Sequence, residues 1–184
     1  MPEPPPVHTV GHSTHTIDAF VDLLRVAEAR LVVDIRTVPR SRRNPQYNED
    51  VLPGELAERQ IGYLRIAELG GLRSRSKDVP PELNGFWTNQ SFHNYADYAL
   101  SDSFHDGFAR LLEVAAERRT AIMCAEAVWW RCHRRIVADY LLNAGREVYH
   151  LMDPARAEPA KMTPAAEPSD GGLIYPSAEP GLPL

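Results

Sequence analysis

Cysteine is scarce in this sequence: two residues in 184, Cys124 and Cys132. Two cysteines build no disulfide framework, so the thiols are expected to be free and the compartment reducing and cytoplasmic. Long apolar runs are missing too. None approaches the ~20 residues a membrane span requires. The N-terminal "MPEPPPVH" has neither a charged n-region nor an apolar h-region, so no signal peptide is expected there. An excess of positive charge is also absent. The formal net charge is -5, so a nucleic-acid surface would have to be a local patch. No internal repeat is visible.

What remains is ordinary for a soluble globular chain, with 43% apolar and 24% charged residues. Residues 1–6 are proline-rich and expected to be disordered. Residues 7–152 read as one α/β domain, and 153–184 as a Pro/Ala/acidic tail, mostly irregular, in which "GGLIYP" is the segment expected to dock. "VHTVG" reads as a strand ending at Gly11. "IDAFVDLLRVAEA" places Ile17, Phe20, Val21 and Leu24 on one helical face, with Thr16 as N-cap. "LVVDIR" and "TAIMC" are apolar runs of the kind buried on both faces of a parallel sheet. "IGYLRIAEL" contains a further strand. "HNYADYALS", "DSFHDGFARLLEVAAERR" and "CHRRIVADYLLNA" read as helices, the last capped at Gly145, and "EVYHLM" as the last strand. The alternation predicts a mainly parallel sheet with helices on both faces, a Rossmann-like three-layer sandwich.

In such a sheet ligands bind beyond the carboxyl ends of the strands. Chemistry-bearing residues gather at those ends: Gly11-His12-Ser13-Thr14, Asp34-Ile35-Arg36, Glu68-Leu69-Gly70-Gly71 and Cys124-Ala125-Glu126. Ser13 and Thr14 either help hold an anion or cap the following helix. Asp34 either orients a ligand or pairs with Arg36. Arg36, Arg40, Arg42 and Arg43 place four guanidinium groups in eight residues, a pattern suited to phosphate or carboxylate.

The segment "AIMCAEAVWWRCHRRIVADYLLNAG" carries both thiols, Glu126, His133 and three arginines. A helix N-terminus and arginines favour thiolate at Cys124 or Cys132. Glu126 is a candidate general acid or base, and His133 a partner for either thiol. Trp129 and Trp130 either stack on a planar ligand or close the core. The spacing does not match a phosphatase loop, because Trp130 stands where arginine belongs. It also lacks the C-x2-4-C pair of structural zinc sites.

"VGHSTHTIDAF", "VVDIRTVPRSRRNPQYN", "IGYLRIAELGGLR", "FWTNQSFHNYADY", "IMCAEAVWWRCHRRIVADYLL" and "VYHLMDP" together resemble the bacterial family catalogued as domain of unknown function 488, from residue 8 to about residue 176. The resemblance implies a cytoplasmic α/β domain and supplies no reaction. Its pattern nominates Gly11, His12, Ser13, Asp34, Arg36, Pro39, Ser41, Arg42, Gly70, Gly71, Tyr95, Cys124, Glu126, Cys132, His133 and Arg134. Aromatic residues of "FWTNQSFHNYADY", among them Phe92 and Tyr95, either form a lid over the crevice or, as Tyr95 and Tyr98 could, pack a helix onto the sheet.

Three functions remain in competition. The first is an enzyme with Cys124 as thiolate, Glu126, His12 and His133 handling protons, and Arg36 and Arg134 clamping an anionic, phosphate- or nucleotide-like substrate. Gly11, Ser13, Thr14, Asp34, Arg42, Trp130, Cys132 and Tyr95 complete that expected site, with no cofactor and no membrane. The second is a nucleotide or nucleic-acid binding module using the arginine runs and aromatics. The third is a metal-binding protein using Cys124, Cys132, His133 and His12.

Overall fold

The computed structural model describes residues 2–178. Five parallel strands and one antiparallel edge strand make a single sheet: β1 (Val7–Gly11), β2 (Leu31–Asp34), β3 (Gly62–Arg65), β4 (Thr120–Cys124), β5 (Val148–Met152) and β6 (Arg156–Pro159), in the order β3-β2-β4-β1-β5-β6. The helices are α1 (Ile17–Val26), α2 (Leu52–Ala57), α3 (Gln90–Tyr98), α4 (Asp102–Glu117) and α5 (Arg134–Asn143).

The apolar strand runs are buried because helices cover both faces. Successive strand residues point to opposite sides. Val10, Val32, Ala121 and Met123 join Phe20, Val21 and Leu24 of α1 and Leu52 and Leu56 of α2 in one core. Leu31, Val33, Ile122 and Cys124 join Tyr95 of α3, Phe104 and Leu111 of α4, and Ile136, Val137 and Leu141 of α5 in the other. The expected three-layer α/β architecture is therefore the observed one. The Thr16 hydroxyl accepts from the Ala19 amide and caps α1, and Gly145 ends α5 at a φ of +79°.

The chain beyond Asp153 corrects the sequence reading. "EVYHLM" is not the last strand. β6 pairs antiparallel with β5, and β7 (Glu167–Ser169) pairs with β8 (Gly172–Ile174) as a separate two-stranded ribbon. These segments of three or four residues are too short to carry hydrophobic periodicity, so only backbone pairing reveals them. "GGLIYP" contains β8, with Leu173 and Tyr175 buried. The Tyr175 amide donates to Asn84 Oδ1, and its hydroxyl donates to Asp139 at 2.9 Å. The segment between β3 and α3 is thereby tied to Tyr175, after β8. At the other end, Arg146 donates to the Pro5 carbonyl. Met1 and residues 179–184, which belong to the two proposed terminal segments, lie outside the described residues. Among the described residues no helix is long and apolar enough to cross a membrane.

Candidate active site

β1 and β4 are adjacent and parallel, with Gly11 opposite Cys124. The chain leaves β1 for α1 on one face and leaves β4 for α5 on the other. A crevice must open where neighbouring strands send their chains apart, and this is where ligands bind in open α/β sheets. The two loops are zipped together at its floor: the His12 and Ser13 amides donate to the Cys124 and Ala125 carbonyls at 2.9 and 3.0 Å. Those two amides are thus spent on backbone and are not free to hold an anion.

Gly11 is required by this close approach. A Cβ there would stand 1.8 Å from the Glu126 carbonyl oxygen and 2.6 Å from Arg134 Nη1. Backbone cannot yield as a side-chain tip can, so Gly11→Ala is expected to destabilise the protein by about 1–3 kcal/mol. A lowered midpoint in urea denaturation, relative to wild type, checks this.

Cys124 lies at the end of β4, 2% exposed, and borders a cavity of about 300 Å³. Thr37, Val38, Leu72 and Phe92 form much of its wall, with Arg36, Arg131, Cys132 and His133. Arg134 reaches the sulfur from α5: Nη1 is 2.9 Å from Cys124 Sγ and also donates to the Glu126 carbonyl at 2.7 Å, while Nη2 donates to the Ala127 carbonyl at 3.0 Å. Arg134 is fully buried, and among the described residues no carboxylate pairs with it. A buried cation without a counter-charge costs several kcal/mol. The sulfur of Cys124 is the group placed to supply that charge.

Burial by itself would push the Cys124 thiol up. The neighbouring Cys132 thiol, the Arg134 charge and the Glu126 backbone outweigh it and bring the group down to about 7. Cys132 goes the other way, well above its ordinary range, because it is buried and faces Cys124. Of the two thiols, Cys124 is the one the Arg134 guanidinium contacts, and that contact favours charge on Cys124. His133 sits beside Cys132. Its Nδ1 is 3.5 Å from Cys132 Sγ and its Nε2 is 2.8 Å from the Ile35 carbonyl, which can only accept. The proton thus sits on Nε2, and Nδ1 faces Cys132 as an acceptor. Burial lowers the ring to about 4, so it is neutral at pH 7. Gly71 makes room for it: a Cβ there would lie 2.4 Å from His133 Nδ1.

Asp34 and Arg36 are a structural pair rather than a ligand site. Arg36 Nε and Nη2 donate to the two carboxylate oxygens of Asp34 at 2.9 and 2.7 Å, and Nη2 also donates to the Tyr47 carbonyl. Tyr63 donates its hydroxyl to the same carboxylate. Asp34 is wholly buried and its acceptors are used, so it does not orient a substrate. Arg36 is 5% exposed and contributes a wall, not a free clamp. His12 is also committed. Nδ1 donates to the Ser13 carbonyl, Arg36 Nη1 lies 3.3 Å from Nε2, and the ring stacks on Tyr47 with centroids 4.1 Å apart. Burial, against the Ser13 carbonyl, holds it down to about 4. His12 buttresses Arg36 on the α1 side and borders a neighbouring cavity rather than the one that the thiols line.

Other expected residues divide. The Glu126 carboxylate is exposed on the rim, while its carbonyl makes the buried contacts. Ser13 and Thr14 border a second cavity of about 460 Å³, which shares Arg36, Val38, Ala125 and Glu126 with the first and is closed by Arg40, Ser41, Arg43 and Asn44. Arg42, nominated by its pattern, lines neither cavity, whereas Arg40 and Arg43 line the second. Trp130 is 45% exposed and lines neither; Arg131 takes its place at the wall. Trp129 stacks on His150 at 4.5 Å. Tyr95 is fully buried, donates to the Leu69 carbonyl at 2.8 Å and meets the His133 ring edge-on. It positions His133 and is not a lid. Phe92 does border the cavity, while Trp87 packs behind it.

Among the described residues no group of three or more His, Cys, Asp or Glu side chains is placed to hold a metal ion. The metal alternative through Cys124, Cys132, His133 and His12 fails on placement, since His12 faces the other layer and His133 Nε2 is bound to backbone.

No curated protein and no solved structure matches the chain. A family model does, over residues 16–141, which include β2, β4, the thiol pair and Arg134. By that match the chain belongs to the family described as Domain of unknown function DUF488.

Proposed function

We propose that this chain is a small cytoplasmic enzyme whose nucleophile is the Cys124 thiolate and whose substrate is a small, phosphate- or nucleotide-like anion. One observation carries the reading: a fully buried guanidinium, Arg134, whose Nη1 lies 2.9 Å from the Cys124 sulfur and which has no carboxylate partner among the described residues. Thiolate is the reactive form of cysteine, and a neighbouring cation in a partly enclosed site is how proteins produce it near neutral pH. The substrate's reacting atom would enter the cavity over Cys124, between Leu72 and Phe92. Its anionic group would lie toward the second cavity, where Arg40 and Arg43 are exposed and unpaired with any carboxylate among the described residues. Glu126, on the rim shared by both cavities, is the group placed to move protons between substrate and solvent.

Alkylation tests both parts. The rate at Cys124 with iodoacetamide is expected to rise with pH to a plateau with a midpoint near 7, because only the deprotonated form reacts. Iodoacetate, the anionic analogue, is expected to react at least as fast as iodoacetamide in 20 mM salt, against its usual disadvantage, and to lose that lead in 1 M salt. A midpoint of ordinary thiols removes the nucleophile; slow iodoacetate at low salt removes the anion preference. A nucleic-acid module remains the second reading, supported by the exposed run Arg40, Arg42 and Arg43 and opposed by the net charge of -5.

A further inference from the structure

Cys124 and Cys132 are the only cysteines of the chain, and both border the same cavity. Their surroundings differ in kind. Cys124 is held by the Arg134 guanidinium, and Cys132 by the unprotonated Nδ1 of a neutral His133. Cys124 is fixed at a strand end, whereas Cys132 lies in an extended residue between the turn at 129–131 and α5. The wall beside them is largely apolar, with Val38, Leu72 and Phe92. That lining suits a compact neutral molecule, and a cavity of about 300 Å³ admits one.

We infer that Cys124 and Cys132 form a two-thiol redox centre that reduces small hydroperoxides, Cys124 attacking the peroxide and Cys132 resolving the product as an intramolecular disulfide. The inference rests on the Cys124 thiolate of the proposed function and adds a second activity at that site.

The chemistry balances with the groups present and an external thiol. The Cys124 thiolate attacks the terminal oxygen of the hydroperoxide. A sulfur–oxygen bond forms and the oxygen–oxygen bond breaks. The sulfur is oxidised by two electrons to sulfenic acid, and the alkoxide leaves and takes a proton from water. His133 Nδ1 then accepts the Cys132 proton as that sulfur attacks the sulfenyl sulfur. The disulfide forms, the sulfur–oxygen bond breaks, and the departing hydroxide takes the proton back from His133 and leaves as water. A low-molecular-weight dithiol restores both cysteines by exchange and becomes a disulfide itself. The same arrangement limits over-oxidation, because a resolving thiol with its own base competes with a second peroxide.

The reduced full-length protein is to be treated with one equivalent of cumene hydroperoxide, then with N-ethylmaleimide, and weighed by mass spectrometry. Expected are loss of both alkylatable thiols, a mass lower by two hydrogens, a monomer on a non-reducing gel, and recovery of both thiols with dithiothreitol. Cys132→Ser is expected to stop at a sulfenic acid that dimedone traps at residue 124. With dithiothreitol present, wild type consumes peroxide repeatedly and Cys124→Ser loses that turnover. Sulfinic acid at Cys124 with Cys132 still alkylatable, a disulfide between two chains, or no oxidation at all would each overturn the inference. Fast iodoacetamide labelling of Cys124 at pH 7 in the same preparation separates the two readings. If labelling is fast and no internal disulfide forms, only the redox centre falls. If labelling is slow, the thiolate itself falls and both go.

Discussion

Replacing Arg134 with methionine is expected to slow alkylation of Cys124 at pH 7 by roughly five- to eightfold and to move its pH midpoint upward from about 7. The size follows from two opposing effects. With the midpoint near 7, about half of the sulfur is thiolate at pH 7. At the ordinary value of 9.0 the fraction is about one in a hundred, a loss of roughly 50-fold. A thiolate of higher pKa is intrinsically more nucleophilic, with a Brønsted slope of about 0.4–0.5, which recovers roughly six- to tenfold. At saturating pH the variant should therefore react faster than wild type, and this crossing of the two pH–rate curves is the signature to look for. Methionine keeps most of the volume and removes the charge, so the core need not collapse. It also strips the Glu126 and Ala127 carbonyls of their donor. Arg134→Lys serves as the control for that loss: it keeps a charge near the sulfur but cannot reach three acceptors at once, and its midpoint should fall between the other two. An unchanged midpoint in Arg134→Met would mean that the guanidinium does not stabilise the sulfur, and the proposed nucleophile would lose its physical basis.

Arg134 was nominated in the sequence by the family resemblance, and in the structure it, rather than Arg131 or Arg135, is the fully buried arginine. Arg134, Ala138 and Leu141 recur at helical spacing, and all three are buried on one face of α5. The same periodicity located α1 and α4, and the continuous apolar runs located β2 and β4. The meeting of β1, β2 and β4 at one rim followed from the general rule for parallel sheets, and their adjacency in the order β2-β4-β1 realises it. What the sequence left open were choices between equal chemistries. An Asp–x–Arg at a strand end suits a ligand as well as it suits an internal pair. The choice is made by Tyr47 and Tyr63, which come from distant loops and strands and carry no mark of that role. Likewise His133 had two thiols to choose from, and the Ile35 carbonyl, a backbone group invisible to any motif, fixes its tautomer and assigns it to Cys132. The short strands β6, β7 and β8 escaped because pairing, not composition, makes them strands.

Removing Asp34 is expected to have the largest effect on stability of any single change at the rim. Asp34→Leu should destabilise the protein by about 3–5 kcal/mol, since it leaves the Arg36 charge buried without its partner. That is a large share of the ~5–15 kcal/mol by which domains of this kind are stable. Burial works against the Arg36 charge, and the Asp34 carboxylate outweighs it; with the carboxylate gone only the penalty remains. The Tyr63 hydroxyl loses its acceptor at the same time. The double variant Asp34→Leu/Arg36→Met removes both charges and should recover much of the loss, because apolar groups of similar volume tolerate the site that a lone ion does not. Urea denaturation of the two variants and wild type measures the difference. A single variant within 1 kcal/mol of wild type would show that the pair does not hold the β2 end, and would return Asp34 to the residues available for a ligand. In the double variant, provided it folds, Cys124 should keep its alkylation midpoint near 7: Arg134 reaches the sulfur from α5, and the Asp34–Arg36 pair reaches the rim from β2. Stability would then have been separated from reactivity, as expected if the Asp34–Arg36 pair builds the wall of the crevice and the Arg134–Cys124 contact supplies its chemistry.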